Sequence, residues 1–219
     1  MNHRRQPRVD FRLYLITDRN QTAGRDLLIT VGEALAGGVR CVQLREKDLS
    51  SRQLYELALE MRRLTDRHNA RLIINDRIDI AQAVDADGVH LGESGIPAYK
   101  ARKILGDRML IGVSCHNQMS AISAQEAGAD FITFGPVYHT PSKAIYGAPV
   151  GREKLELVCG MVDLPCFALG GIKRDNAPEA LATGAHGIAL ISAILAAPSP
   201  GEEAEALLAL VPPMSPEVA

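Results

Sequence analysis

Ala127-Gly-Ala-Asp-Phe-Ile-Thr-Phe-Gly-Pro-Val-Tyr-His-Thr-Pro-Ser-Lys143 is the stretch on which the fold turns. It opens with a glycine of the kind that stops a helix in the left-handed conformation. The apolar run Phe131–Phe134 follows, with the length and residue types of a short buried strand. The stretch closes on a loop that collects Gly135, Pro136, Pro141, two hydroxyls and a lysine. Gly and Pro fix the backbone there, so Thr140, Ser142 and Lys143 can be aimed. An ammonium held beside hydroxyl donors suits a phosphate, although a solvated loop would read the same way in isolation. What separates the two readings is how often the unit recurs.

It recurs along the whole chain. Apolar runs stand at Leu13–Thr17, Cys41–Leu44, Leu72–Asn75, Gly88–Leu91, Leu110–Ser114, Phe131–Phe134, Cys166–Leu169 and Gly187–Ile191. The segments between them carry helical periodicity. It is clearest in Ser51–His68, where Leu54, Leu57, Ala58, Met61 and Leu64 share one face, and it returns in Gly151–Gly160. Ser50 or Ser51 is placed to cap the first of these. Ala36-Gly-Gly38 and Thr183-Gly-Ala185 repeat the glycine stop. The sum is a βα unit of about forty residues used many times. Eight such units predict an α/β fold, a single (β/α)8 TIM barrel. An open doubly wound sheet is the alternative, but no Gly-x-Gly-x-x-Gly follows the first strand. The expected organisation is a polar tail over residues 1–10, the barrel over 11–211, and a Pro-rich tail over 212–219.

The bulk properties narrow the partners. With 219 residues the chain can bury a core without staples. A net charge of −2 and the absence of Trp offer no basic field or stacking surface, so neither nucleic acid nor an anionic membrane is expected. Cys41, Cys115, Cys159 and Cys166 form no Cys-x-x-Cys pair and have no His at zinc-ligand spacing. Free thiols suit a reducing compartment, hence a cytoplasmic protein. The polar start does not read as a signal peptide, and no apolar stretch is long enough to span a bilayer. A homo-oligomer is compatible with all of this.

In such a barrel the active site is built at the C-terminal ends of the strands. Those ends read Gln43-Leu-Arg-Glu-Lys-Asp48, Asn75-Asp-Arg77, Gly92-Glu-Ser-Gly95, Ser114, Thr140 to Lys143, Gly170-Gly-Ile172 and Ile191-Ser192. Alternation puts Gln43, Arg45 and Lys47 on one side of the second strand, with Leu44 and Glu46 on the other. Cations aimed into a barrel mouth are costly unless an anion meets them. Gly170 and Gly171, with the start of the last helix, offer backbone N–H groups to a phosphate. The cations elsewhere on the rim imply a second anionic group. Asp76 with another carboxylate suggests Mg²⁺ bound together with substrate phosphates, which points to diphosphate chemistry. Blander roles remain open at this point. Residues 45–48 could be a solvated charge run, Asp76 could cap a helix over Arg77–Val84, and Gly170-Gly171 could be a plain turn. His90 reads as a hydrogen-bonded core residue, and His116 and His139 lack a carboxylate partner in sequence.

Taken in order, Gln43–Lys47, Ile74–Asp76 with Asp79–Ala81, Ala86–Gly92, Gly112–Ser114, Gly135–Val137 with Thr140–Lys143, and Gly170–Ile172 resemble the thiamine phosphate synthase (thiamine-phosphate pyrophosphorylase) family from about Tyr14 to Leu195. The resemblance implies a Mg²⁺-dependent transferase. The thiazole nitrogen of a thiazole phosphate attacks the methylene of an aminopyrimidine-methyl diphosphate, and pyrophosphate leaves. It also implies that Arg45, Lys47, Asn75, Ser114 and Lys143 hold the diphosphate and that Gln43 faces the pyrimidine. Thr140, Ser142, Gly171, Ile191 and Ser192 would hold the thiazole phosphate, and Asp76 would bind Mg²⁺. The chemistry fits the residue types. An aminopyrimidine can stabilise a methylene cation, so positioning and charge neutralisation suffice without a protein nucleophile.

One position departs from the family pattern. After the fourth strand the family resembles Gly-Gln-x-Asp, with that Asp on Mg²⁺, whereas Gly95 stands there in this chain. Glu93, two residues earlier, is expected to take over as the second metal carboxylate. Two other functions share the same frame. The sister branch of thiazole tautomerases moves a proton and carries a His where this chain has Pro136, leaving His139 as the nearest replacement. The third reading is a non-catalytic regulator that binds thiazole phosphate or thiamine phosphate.

Overall fold

The computed structural model describes residues 9–140 and 148–212. Among them, eight parallel strands close in sequence order into a barrel. They are β1 (Leu13–Ile16), β2 (Cys41–Leu44), β3 (Arg71–Asn75), β4 (Gly88–Leu91), β5 (Leu110–Cys115), β6 (Phe131–Phe134), β7 (Cys166–Leu169) and β8 (Gly187–Leu190). Each boundary lies within a residue of the sequence expectation. The helices between them are α1 (Leu27–Ala36), α2 (Ser51–Arg67), α3 (Ile78–Ala83), α4 (Ala98–Leu105), α5 (Gln118–Glu126), α6 (Arg152–Met161) and α7 (Ala177–Leu181), followed by α8 (Ser192–Leu195) and α9 (Pro200–Leu210). β1 pairs with β8, Leu15 opposite Leu190, so the sheet has no free edge.

Two-residue alternation sorts every strand into two cores. Leu13, Leu15, Val42, Leu44, Leu72, Ile74, Val89, Ile111, Ile132 and Ala168 point outward against the helices. Tyr14, Ile16, Cys41, Ile73, Leu110, Phe131, Phe167 and Ala189 point inward and fill the barrel. The inward series continues upward as Gln43, Asn75, His90, Ser114 and Thr133, so the polar layer lies directly above an aromatic floor. Gly112 makes room in that layer, because a Cβ there would overlap both the His90 ring and the Phe131 ring.

The base of the barrel is closed by Val9 and Asp10, which the sequence assigned to a polar tail, together with Phe11, the first residue of the expected barrel. Val9 and Phe11 are buried, and the Phe11 ring stacks on Phe167 at 5.2 Å between centroids. Asp10 forms a two-pronged ion pair with Arg71, at 2.5 and 2.6 Å. The barrel therefore begins by residue 9. Two apolar side chains spaced to face one way outweigh the polar composition around them. Residues 1–8 and 213–219 lie outside the described chain.

Helix punctuation follows the sequence. Ser50 caps α2 in a reciprocal capping box with Gln53. Gly38, Gly128 and Gly184 all take positive φ after their helices.

Candidate active site

The charge run after β2 divides along the alternation of the strand. Glu46 turns outward and is 5% exposed. It accepts from the Thr17 hydroxyl at 2.7 Å and from the Arg19 guanidinium at 3.1 Å. Arg19 also grips Asp48 through both oxygens, at 2.6 and 2.5 Å. This bond holds the Asp48 carboxyl below its ordinary range and raises Arg19. Both acids of the run are thus occupied by a cation from the first loop. Among the described residues, Arg45 and Lys47 have no ion-pair partner. Arg45 shares the inner side with Gln43, and its charge is felt at His90. Lys47 is exposed in the turn that follows. A solvated charge run does not describe Glu46, which is buried against Thr17 and Arg19.

Asp76 does not cap a helix. α3 starts at Ile78, its N-cap is Arg77, and no side chain bonds that end. Asp76 instead takes a left-handed φ of 57°. This conformation costs a non-glycine residue on the order of 1 kcal/mol and marks a position held by its surroundings. Its backbone N–H donates to the His90 carbonyl at 2.9 Å. Its carboxylate accepts from the Gly92 N–H at 2.8 Å and from the Asn75 amide at 2.9 Å. Each carboxylate oxygen keeps a lone pair for a cation.

Gly95 packs against that carboxylate, since a Cβ there would lie 2.8 Å from Asp76 Oδ1. Glu93 is exposed. Burial pushes the Cys115 thiol up to about 12, with the Glu93 charge adding to the rise. No group of three or more His, Cys, Asp or Glu side chains gathers anywhere among the described residues.

At the centre of the mouth a buried chain of hydrogen bonds crosses the barrel. The Gln43 amide donates to the Tyr14 hydroxyl at 2.8 Å. That hydroxyl lies 3.4 Å from His90 Nδ1, and His90 Nε2 lies 3.0 Å from Ser114 Oγ and 3.4 Å from Thr133 Oγ1. Burial, aided by Arg45, pushes the His90 pKa down to about 3, so the ring is neutral.

The other half of the rim is backbone. Beyond β6 and β7 the ladder continues, with Val137 N–H on the Leu169 carbonyl at 2.8 Å and Tyr138 N–H on the Gly170 carbonyl at 3.0 Å. Gly170 and Gly171 take φ of 99° and 67°, and a Cβ on Gly171 would collide with the backbone of His139 and Tyr138. Asn176 ties this loop down by donating to the Gly171 carbonyl at 2.9 Å. α8 begins at Ser192 after Ile191, whose carbonyl accepts from the Ile194 and Leu195 N–H groups at 3.3 and 3.0 Å, and the amides of Ser192 and Ala193 precede these first intrahelical bonds. The chain returns from the β6 loop where it left, with Val150 N–H on the Pro136 carbonyl at 2.8 Å and Gly151 N–H on Val137 at 3.3 Å. Thr140 is half-buried at the described end of this loop, whereas Ser142 and Lys143 lie outside the described residues.

The structure thus brings Gln43, Arg45, Asn75, Asp76, Ser114, Gly171, Ile191 and Ser192 to the strand C-terminal end of one barrel. Sequence reasoning missed Thr17, Arg19 and Asn176, which hold the loops, and Tyr14, which reads as plain core. Only Asn176 carried a signal, as a capping residue just before Ala177-Pro178. Two other concavities open away from this end. One lies between α1 and α2 beside Ile29 and Leu64, and one at the base beside Arg12, Cys166 and His186.

The model of the thiamine monophosphate synthase family matches residues 13–194. A protein of Geobacter sulfurreducens is 66% identical over 94% of this chain and 97% of its own length. The thiamine-phosphate synthase of Clostridium novyi is 47% identical over 85% of this chain and 92% of its own. The solved thiamine phosphate pyrophosphorylase from Pyrococcus furiosus superposes with a TM-score of 0.84 at 37% identity, covering 92% of this chain and 95% of that one. The chain belongs to the thiamine monophosphate synthase family.

Proposed function

From that membership we propose that the protein is a thiamine-phosphate synthase, joining an aminopyrimidine-methyl diphosphate to a thiazole phosphate with release of pyrophosphate. The observation that carries the reading is the division of charge after β2. Arg19 occupies Glu46 and Asp48, which leaves Arg45 at the mouth and Lys47 beside it for an anion. A second anion suits the backbone cup of Gly171, Ile191 and Ser192 on the opposite side.

In this reading Arg45, Lys47, Asn75, Ser114 and Lys143 take the diphosphate. Gln43 orients the pyrimidine, while Thr140 and Ser142 join the backbone cup around the thiazole phosphate. The carbon–oxygen bond to the diphosphate breaks as the pyrimidine amino group feeds electrons toward the methylene, and the thiazole nitrogen captures the carbon. Cations and hydroxyls positioned before the bond breaks stabilise the leaving charge without reorganising. The aromatic floor of Tyr14, Phe131 and Phe167 keeps water from the carbocation from below. Asp76, with its carboxylate already oriented, and Glu93 are the oxygen donors suited to Mg²⁺. Bound there, that ion would neutralise diphosphate charge. The free thiols suit a reducing compartment, and we take the cytoplasm as its location.

The tautomerase alternative needs an acid–base group at the mouth. Pro136 stands at the position in question and His139 is exposed. His116 Nδ1 is 2.5 Å from the Gly135 carbonyl oxygen. The test is to incubate the purified protein with both substrates and Mg²⁺ and follow pyrophosphate and thiamine phosphate. Formation of both is expected. Isomerisation of a thiazole carboxylate phosphate without synthesis would replace the reading with the tautomerase. Binding without either reaction would replace it with the regulator.

A further inference from the structure

We infer that His90 is a positioning residue that fixes the direction of the Ser114 hydroxyl, holding Ser114 as a hydrogen-bond donor to the leaving diphosphate rather than as a nucleophile. The inference rests on the diphosphate reading above and adds a residue to it.

The argument follows the protons along the buried chain. Tyr14 is fully buried, so its O–H must be used inside the barrel. Its oxygen already accepts from the Gln43 amide at 2.8 Å, and the acceptor facing its proton is His90 Nδ1 at 3.4 Å. A protonated Nδ1 would strand that hydroxyl without an acceptor in a dry interior. Nδ1 is therefore the acceptor, and a neutral imidazole must then carry its one proton on Nε2. Nε2–H points at Ser114 Oγ, 3.0 Å away and the nearer of its two hydroxyl neighbours, with Thr133 Oγ1 at 3.4 Å. Ser114 accepts that bond, so its own proton is directed away from His90, into the mouth.

The opposite arrangement would make a different enzyme. A bare Nε2 would draw the Ser114 proton toward the ring and create a nucleophile–base pair. Gly112 supports the arrangement sterically, because any side chain there would push the His90 ring off its place at Nδ1. Among the described residues Arg45 is the charged group acting on the ring, and no carboxylate pairs with it.

Two measurements test this. Nitrogen-15 NMR of histidine-labelled protein reads the His90 tautomer, with the signal assigned by its loss in His90→Gln. Proton on Nε2 is expected, and proton on Nδ1 overturns the inference. Calorimetry with pyrophosphate and Mg²⁺ then reads the coupling. His90→Met should weaken binding about tenfold, and His90→Gln, which keeps an amide donor, should recover most of the loss. In a Ser114→Ala background His90→Met should change nothing further. An equal loss with and without Ser114, in variants whose melting temperatures show them folded, would make His90 merely structural and reject the inference. Wild type that binds no pyrophosphate would instead reject the diphosphate reading, and the tautomer would still decide how His90 and Ser114 are bonded.

Discussion

At the scale of single residues, neighbours decide what each charge can do. Arg45 and Lys47 are available to a substrate because Arg19 has taken Glu46 and Asp48. Arg45→Ala should therefore lower kcat/KM by about 10²–10³, the cost of one lost donor to a developing charge. Folding should change by only about 0.5 kcal/mol, as for most substitutions away from the core. Lys143→Ala should behave alike. A wild-type rate at saturating Mg²⁺ would remove either residue from the diphosphate site. At position 95 the backbone does not need positive φ, but a Cβ would press on Asp76 Oδ1. Gly95→Asp should thus lower the melting temperature without metal and show a larger Mg²⁺-induced rise than wild type. It should also reduce the Mg²⁺ needed for synthesis, whereas Glu93→Gln should increase it. A melting temperature indifferent to Mg²⁺ in Gly95→Asp would deny a cation between these positions. The residue types and strand ends were readable in the sequence. The Arg19 clamp was not, because it joins residues about thirty positions apart across two loops whose pairing no local pattern encodes.

At the scale of elements, local rules and tertiary rules carry different shares. The Ser50 capping box of α2 is written locally. Ser50→Ala should cost about 1 kcal/mol and lower the melting temperature by about 2–4 °C. Unchanged stability would mean that packing of Leu54, Met61 and Leu64 alone holds the helix start. Strands were legible to within a residue because inner and outer faces are both apolar and glycine stops bracket them. α3 was legible only roughly. A start at Arg77 belonged to the alternative in which Asp76 caps the helix, and the structure uses that carboxylate on Gly92 across the β3–β4 gap. Period and punctuation reveal an element, but not which strand end a side chain will reach over to.

At the scale of the whole molecule, the barrel separates stability at its base from chemistry at its mouth. Asp130 at the base accepts from the Ile111 N–H at 2.7 Å and pairs with Arg102 at 2.6 Å. Asp130→Ala should cost about 1–3 kcal/mol of stability while leaving kcat/KM near wild type. A catalytic defect in folded protein would break the separation. Acid acts through the interior. His90 and His186 are both held below their ordinary pKa by burial. As pH falls below about 6.5 the unfolded chain gains protons that the folded chain refuses, so stability should decline toward the His90 value of about 3. Urea titrations across that range in wild type and His90→Gln would read the difference, and parallel slopes would exclude His90 as a source. The β6 loop, finally, leaves and re-enters the barrel through paired bonds at Pro136 and Val137. Such a neck insulates strand register from whatever lies between residues 138 and 149, because doubling the length of a loop costs only about 0.6 kcal/mol. Descendants of this chain can lengthen, shorten or rewrite that segment, and with it their choice of substrate, while inheriting the barrel unaltered.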